Sequence, residues 1–238
     1  MRRHFGIPLR AHHPLRTSLS ICASTFGLEL PRPIPPNVKV VGPILRKVKP
    51  LAEPLKKWFE ESPNPVIYIS MGSLATVNTT FACKLIETFN KKKVNILWSL
   101  PSDQLKHLPE SLPNNFRIED HTDQQNVLAH PKVNLFISHC GSNSVSESLY
   151  HNTPIIGCPF FCDQYYWAVR IEELGCGLAI DKFDFTAEEL WRKTQTILTD
   201  NDDIFYRSAK HISNIMRTSG GVKRAADLVE IEIKSALC

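Results

Sequence analysis

"FISHCGSNSVSESLYHNTPIIGCPFFCDQ", residues Phe136 to Gln164, is the stretch on which the fold turns. An apolar run of strand length stops at His139. Glycine, hydroxyls and an amide then open a helix. A second short apolar run, "PIIGCP", follows that helix, and Asp163-Gln164 begins another. Parallel strands need a crossover connection, usually a helix, because a hairpin cannot connect strands running the same way.

The same alternation extends in both directions. Upstream, "PVIYISMGS", "VNILWSL" and "FRIED" read as strands, with helices at "LAEPLKKWFEESP", "TTFACKLIETFNKKK" and "DQQNVLAHP". Downstream come a helix at "DQYYWAVRIEELG", a strand at "GLAID" and three helices between Thr186 and Ala236. Phe81, Leu85, Ile86 and Phe89 repeat at helical spacing. The strands show no polar alternation, as expected where helices cover both faces of a sheet. The expected fold is α/β, a doubly wound, Rossmann-like parallel sheet over residues 38–215. Before it, "LPRPIPPNVKVVGPIL" carries prolines that exclude helix, so residues 1–37 read as a linker ahead of a short strand at Val38–Val41.

Composition narrows the function. Hydrophobic residues make up 42% and charged residues 22%, a soluble globular balance. A net charge of +4 with no long basic run argues against a nucleic-acid partner. Seven cysteines with no C-x-x-C pair read as buried free thiols in a reducing compartment, and Cys140, Cys158, Cys162 and Cys176 lack zinc-site spacing. No apolar stretch reaches the roughly 18 residues of a membrane span, and "MRRHFGIPLRAHHPLR" lacks the apolar core of a secretory leader. His4, His12 and His13 in that stretch read as exposed loop residues.

In an open parallel sheet the ligand site lies outside the carboxyl ends of the strands. Three polar turns belong at that edge: Gly72-Ser73, His139 to Ser144, and Cys162 to Gln164. A helix opening near Ser142 offers unpaired N–H groups to an anion. Gly141 allows close approach, while His139, Asn143 and Ser144 add donors. Ser144-x-x-Glu147 is also a capping box, and Asp163 could be a plain N-cap. These residues alone leave both readings open. P-loop, dinucleotide and nucleophile-elbow patterns are absent.

From His121 to Gln164 the chain resembles the signature box of the UDP-dependent glycosyltransferases, two-domain GT-B enzymes. It matches at Gln124, His130-Pro131, His139-Cys140-Gly141, Asn143-Ser144, Glu147, Pro154 and Asp163-Gln164. "VIYISMGS" and "SGGVKRAADLVE" are similar to the family's first donor-domain strand and its closing helix. The resemblance implies that His121, Thr122, Gln124 and Glu147 hold the uridine. Gly72, Ser73, His139, Gly141, Asn143 and Ser144 would hold the diphosphate, and Asp163 and Gln164 the sugar. It implies inverting transfer of a hexosyl group from a UDP-sugar, UDP-glucose or UDP-glucuronate, to a lipophilic or phenolic acceptor hydroxyl, without metal or cofactor.

The family's acceptor domain carries the catalytic base, so the present chain reads as the donor-binding half, inactive alone. Residues 1–37 would include a remnant of that domain, and residues 216–238 a helix packing back toward it. Family members are cytoplasmic or membrane-associated. The alternative is a non-catalytic UDP-sugar-binding module, or the donor subunit of a two-chain glycosyltransferase. Two positions depart from the plant pattern, where Trp stands in place of His121 and of Ser142.

Overall fold

The computed structural model describes residues 19–236, so His4, His12 and His13 lie outside the described residues. The chain divides by packing into two compact units, Arg46–Asn214 on its own and Met1–Leu45 together with Ile215–Cys238. In the smaller unit, β1 (Ser20–Cys22) pairs in parallel with β2 (Val38–Val40), Ser20 opposite Val38. The strand expected at Val38–Val41 therefore joins a two-stranded sheet of its own. Residues 31–35 between them contain no helix, in keeping with their prolines.

The larger unit begins with α1 (Leu55–Glu61), β3 (Val66–Ser70), α2 (Thr79–Phe89) and β4 (Asn95–Ser99). A 3₁₀ turn at Ser102–His107 leads to β5 (Phe116–Glu119), α3 (Gln124–Leu128) and β6 (Val133–Ser138). Then come α4 (Ser142–Tyr150), β7 (Ile155–Gly157), α5 (Gln164–Glu173), β8 (Gly177–Ala179) and α6 (Ala187–Leu198). α7 (Ile204–Thr218) crosses from the larger unit into the smaller, where α8 (Gly221–Ala236) completes the described chain.

Six parallel strands lie in the order β5-β4-β3-β6-β7-β8. The winding reverses between β3 and β6, which makes their carboxyl ends the topological switch point. Register lines up three serines there, Ser70 lying opposite Ser99 on one side and Ser138 on the other.

Alternate residues of β3 serve opposite faces of the sheet. Ile67 and Ile69 join Ile96, Trp98, Leu135 and Ile137 under Phe81, Leu85 and Phe89 of α2 and Leu190 of α6. Val66 and Tyr68 join Leu97 and Phe136 under Phe59 of α1 and Val127 of α3. Every residue of β3 is buried, which explains why the strand carries no polar alternation. The cysteine expectation needs correcting. Cys140, Cys158 and Cys176 are buried, with burial pushing the thiols of Cys140 and Cys176 up to about 12, but Cys83 and Cys162 are exposed.

Candidate functional site

A cleft of about 370 Å³ opens at the switch point. Ser70, Gly72 and Ser73 form its wall at the end of β3, and His139 stands at the end of β6. Asp120, His121, Thr122 and Gln124 enter from the turn between β5 and α3, and Ser144 and Glu147 from α4. Eight residues singled out by sequence thus meet in one place: Gly72, Ser73, His121, Thr122, Gln124, His139, Ser144 and Glu147.

The three turns predicted to share this rim each contain one left-handed residue, Gly72 (φ 72°), Cys140 (φ 63°) and Cys162 (φ 56°). A non-glycine residue in that region is uncommon, and such conformations gather at ligand sites. The backbone bends sharply at Cys140 so that Gly141 can follow His139 directly into α4. A Cβ on Gly141 would sit 2.6 Å from His139 Nε2, and one on Gly72 would sit 2.8 Å from it. Gly141 permits close approach, as expected, but the group it admits is the His139 imidazole. The two glycines form a slot for that ring.

The His139 imidazole is half-buried at the end of β6, against the Ser70 backbone. Burial lowers the His139 pKa, and the Ser70 backbone and the Asp163 carboxylate push it back up. Its imidazole is therefore mostly neutral at pH 7. Gly141, the N-cap of α4, offers no side chain to the first-turn N–H groups. By contrast, Asn78 caps α2 and Thr186 caps α6 through their side chains. Uncapped amides, a positive helix end and an imidazole converge on one turn, an arrangement suited to a phosphate group.

The other wall is polar and cross-linked. Gln124 Nε2 donates to Glu147 Oε2 at 2.8 Å and to Ser144 Oγ at 3.1 Å. Because Gly141 is the N-cap and α4 starts at Ser142, Ser144 and Glu147 both lie within the helix, past the N-cap. The capping-box reading is thereby excluded, and both side chains face Gln124 instead. Burial raises the Glu147 pKa, while the Gln124 hydrogen bond and the Arg46 charge lower it. On the floor, the Tyr68 hydroxyl and Thr122 Oγ1 are 2.8 Å apart, and burial pushes the phenol up to about 12. It stays neutral. A half-buried carboxylate beside an amide and hydroxyls is equipped to accept vicinal hydroxyls from a ligand.

The remaining predicted residues, Gly141, Asn143, Asp163 and Gln164, do not line the cleft. Asn143 is exposed on the first turn of α4. Asp163 occupies the N-cap position of α5, yet its carboxylate makes no capping bond and accepts from Trp167 Nε1 at 3.1 Å. Its charge still reaches His139. Gln164 is buried, with Oε1 accepting the N–H groups of Phe160 and Phe161 at 2.8 and 3.1 Å. Among the described residues no group of three or more His, Cys, Asp or Glu converges to hold a metal ion. Sequence reasoning missed Arg46, Tyr68, Ser70, Ser99 and Asp120, all of which line the cleft. Tyr68 and Ser70 carried one available signal, a polar pair inside an otherwise apolar strand.

Comparison with known proteins agrees with this geometry. The family model described as "UDP-glucoronosyl and UDP-glucosyl transferase" matches residues 11–220. The chain belongs to that family. A UDP-glycosyltransferase 1 from Phaeomoniella chlamydospora is 34% identical over 98% of this chain and 50% of its own length. The human 2-hydroxyacylsphingosine 1-beta-galactosyltransferase is 29% identical over 93% of this chain and 41% of its own length. The chain thus spans about half the length of the curated relatives it matches. Among solved structures, Os79 from O. sativa superposes with TM-score 0.74 at 22% identity, over 90% of this chain and 54% of that one. Another structure of Os79 is a complex with UDP. The neighbours are GT-B glycosyltransferases, so the chain shares the Rossmann-like architecture of one half of that fold. No helix among the described residues is long and apolar enough to cross a membrane.

Proposed function

We propose that the chain binds the donor of a UDP-sugar-dependent glycosyltransferase, and that the whole protein transfers a hexosyl group with inversion to an acceptor hydroxyl. The observation that carries this reading is the pairing of an anion turn with a hydroxyl-accepting wall in one switch-point cleft. Os79, whose fold this chain shares, is known in complex with UDP, which supports a uridine nucleotide as the occupant.

In this reading the first-turn amides of α4, Ser73 and His139 receive the diphosphate. Glu147, presented by Gln124, accepts the ribose hydroxyls, and His121 stacks on the uracil above Thr122. Asp163, near His139, meets the transferred sugar together with Gln164. As the acceptor oxygen attacks the anomeric carbon, the sugar–phosphate bond breaks and negative charge gathers on the diphosphate. Preorganised donors aimed at that charge are worth most in a partly dry site. These donors fill the place of a metal, so the proposed transfer is metal-independent.

Calorimetry with UDP and the 238-residue chain tests the reading. UDP is expected to bind, and Glu147→Ala to weaken it by about 1–3 kcal/mol, the loss expected for hydrogen bonds to a charged group. A folded chain with no UDP affinity up to about 1 mM, which corresponds to about −4 kcal/mol, overturns it.

A further inference from the structure

Arg46 lies far in sequence from the motifs and yet lines the cleft. It is held there by a strap in which residues 46–49 run along α3. Gln125 Nε2 donates to the Arg46 carbonyl at 2.7 Å, and the Lys49 N–H donates to Asn126 Oδ1 at 2.9 Å. The Arg46 guanidinium forms an ion pair with Asp123, whose carboxylate also accepts the Asn126 N–H at 3.3 Å at the start of α3. The consecutive glutamines divide the work. Gln125 is buried against the strap, whereas Gln124 faces the cleft and holds Glu147.

This places one cation in the same cleft as the carboxylate that the proposed function assigns to ribose, within range of its charge. The charged and titratable groups around Glu147 are Arg46 from the strap, Asp123 and His121 ahead of α3, Asp120 after β5, Tyr68 on β3 and His139 after β6. The Asp123 charge disfavours a second negative charge at Glu147, and a bound diphosphate would add to that repulsion. Arg46 is the member of this set that is always cationic.

We propose that Arg46 is a positioning residue of the nucleotide cleft. Anchored by Asp123, its guanidinium holds Glu147 as the carboxylate that receives the ribose hydroxyls, and it offsets the repulsion between that carboxylate and the diphosphate. This rests on the uridine-nucleotide reading. Burial raises the Glu147 pKa and the Arg46 charge opposes it, so removing that charge lets Glu147 protonate at a higher pH.

The test uses uridine, which has no phosphate to titrate, with UDP in parallel, in calorimetry from about pH 5 to about pH 8. Uridine affinity is expected to fall on the acid side. In Arg46→Gln that fall should begin at a higher pH, because no cation then opposes the burial that raises the Glu147 pKa. Arg46→Lys, which keeps the charge, should follow the unmodified chain, and Glu147→Gln should lose the acid-side fall. At neutral pH, Arg46→Gln should weaken UDP more than uridine. A uniform loss of affinity at every pH, with the acid-side fall unmoved in Arg46→Gln, overturns the proposal alone. Absence of uridine and UDP binding by the unmodified chain overturns the nucleotide reading and the proposal with it.

Discussion

His139 shows how single residues set the chemistry. Its ring lies in a slot made by Gly72 and Gly141, and a methyl group at either glycine would come within 3 Å of Nε2. Gly141→Ala should therefore move the imidazole out of line with the first turn of α4 while leaving the buried strands intact. UDP binding is expected to weaken by about 1–3 kcal/mol, as for a lost charge-assisted hydrogen bond, with uridine binding nearly unchanged. Paired UDP and uridine titrations would show this, and equal losses for the two ligands would separate His139 from the diphosphate.

His121 is the complementary case at the uridine end, exposed on the cleft rim where plant members of the family carry Trp. A larger ring there adds stacking area. His121→Trp should keep or tighten UDP binding by up to about 1 kcal/mol, and His121→Ala should weaken it. Identical affinities for all three chains would place the base elsewhere.

Among the elements, α1 has a cap that its own sequence does not supply. Lys132 Nζ donates to the carbonyls of Phe59, Ser62 and Glu60 at 2.7, 2.9 and 3.1 Å, closing the carboxyl end of α1. It also complements the negative end of that helix dipole. Lys132→Met should cost about 1–3 kcal/mol of stability, since hydrogen bonds to a charged group are lost and backbone acceptors are left in a partly buried place. Denaturant unfolding would measure the loss. UDP affinity of the folded protein should not change, because Lys132 takes no part in the cleft. Two helices at the carboxyl edge of the sheet follow the opposite practice. Gly141 and Asp163 stand at the N-cap positions of α4 and α5 without a capping side chain. A capped helix would have spent the donors that a phosphate requires.

For the whole molecule, the proposed function separates donor binding from transfer. His121, Thr122, Gln124 and Glu147 are assigned to uridine and Ser73 and His139 to diphosphate, so each of these serves the donor and not the acceptor. A general base contributes about 10²–10⁴-fold, and positioning of the acceptor contributes more. Incubated with UDP-glucose or UDP-glucuronate and phenolic acceptors, the 238-residue chain should release UDP only slowly and form little glycoside by mass spectrometry. Transfer near 1 s⁻¹ or faster, an ordinary enzyme rate, would place a base within these residues.

The sheet was legible in the sequence because burial on both faces is written into each strand. Ile67 and Ile69 serve one core and Val66 and Tyr68 the other, so "VIYIS" is buried on both faces, with Tyr68 and Ser70 as its polar exceptions. The carboxyl-edge turns were legible too, since glycine, hydroxyls and histidine interrupt that pattern where α/β ligands bind. Three-dimensional placement decided the rest. Ser144 and Glu147 fit a capping box as well as a binding wall, and only the start of α4 at Ser142, with Gln124 arriving from another turn, chose between them. Arg46 and Asp123 are separated by 77 residues and obey no local periodicity, so their ion pair left no trace in the pattern. Periodicity reports which face of an element is buried. Which side chains from distant turns meet in one cleft depends on strand order, and strand order is set by the packing of the whole sheet.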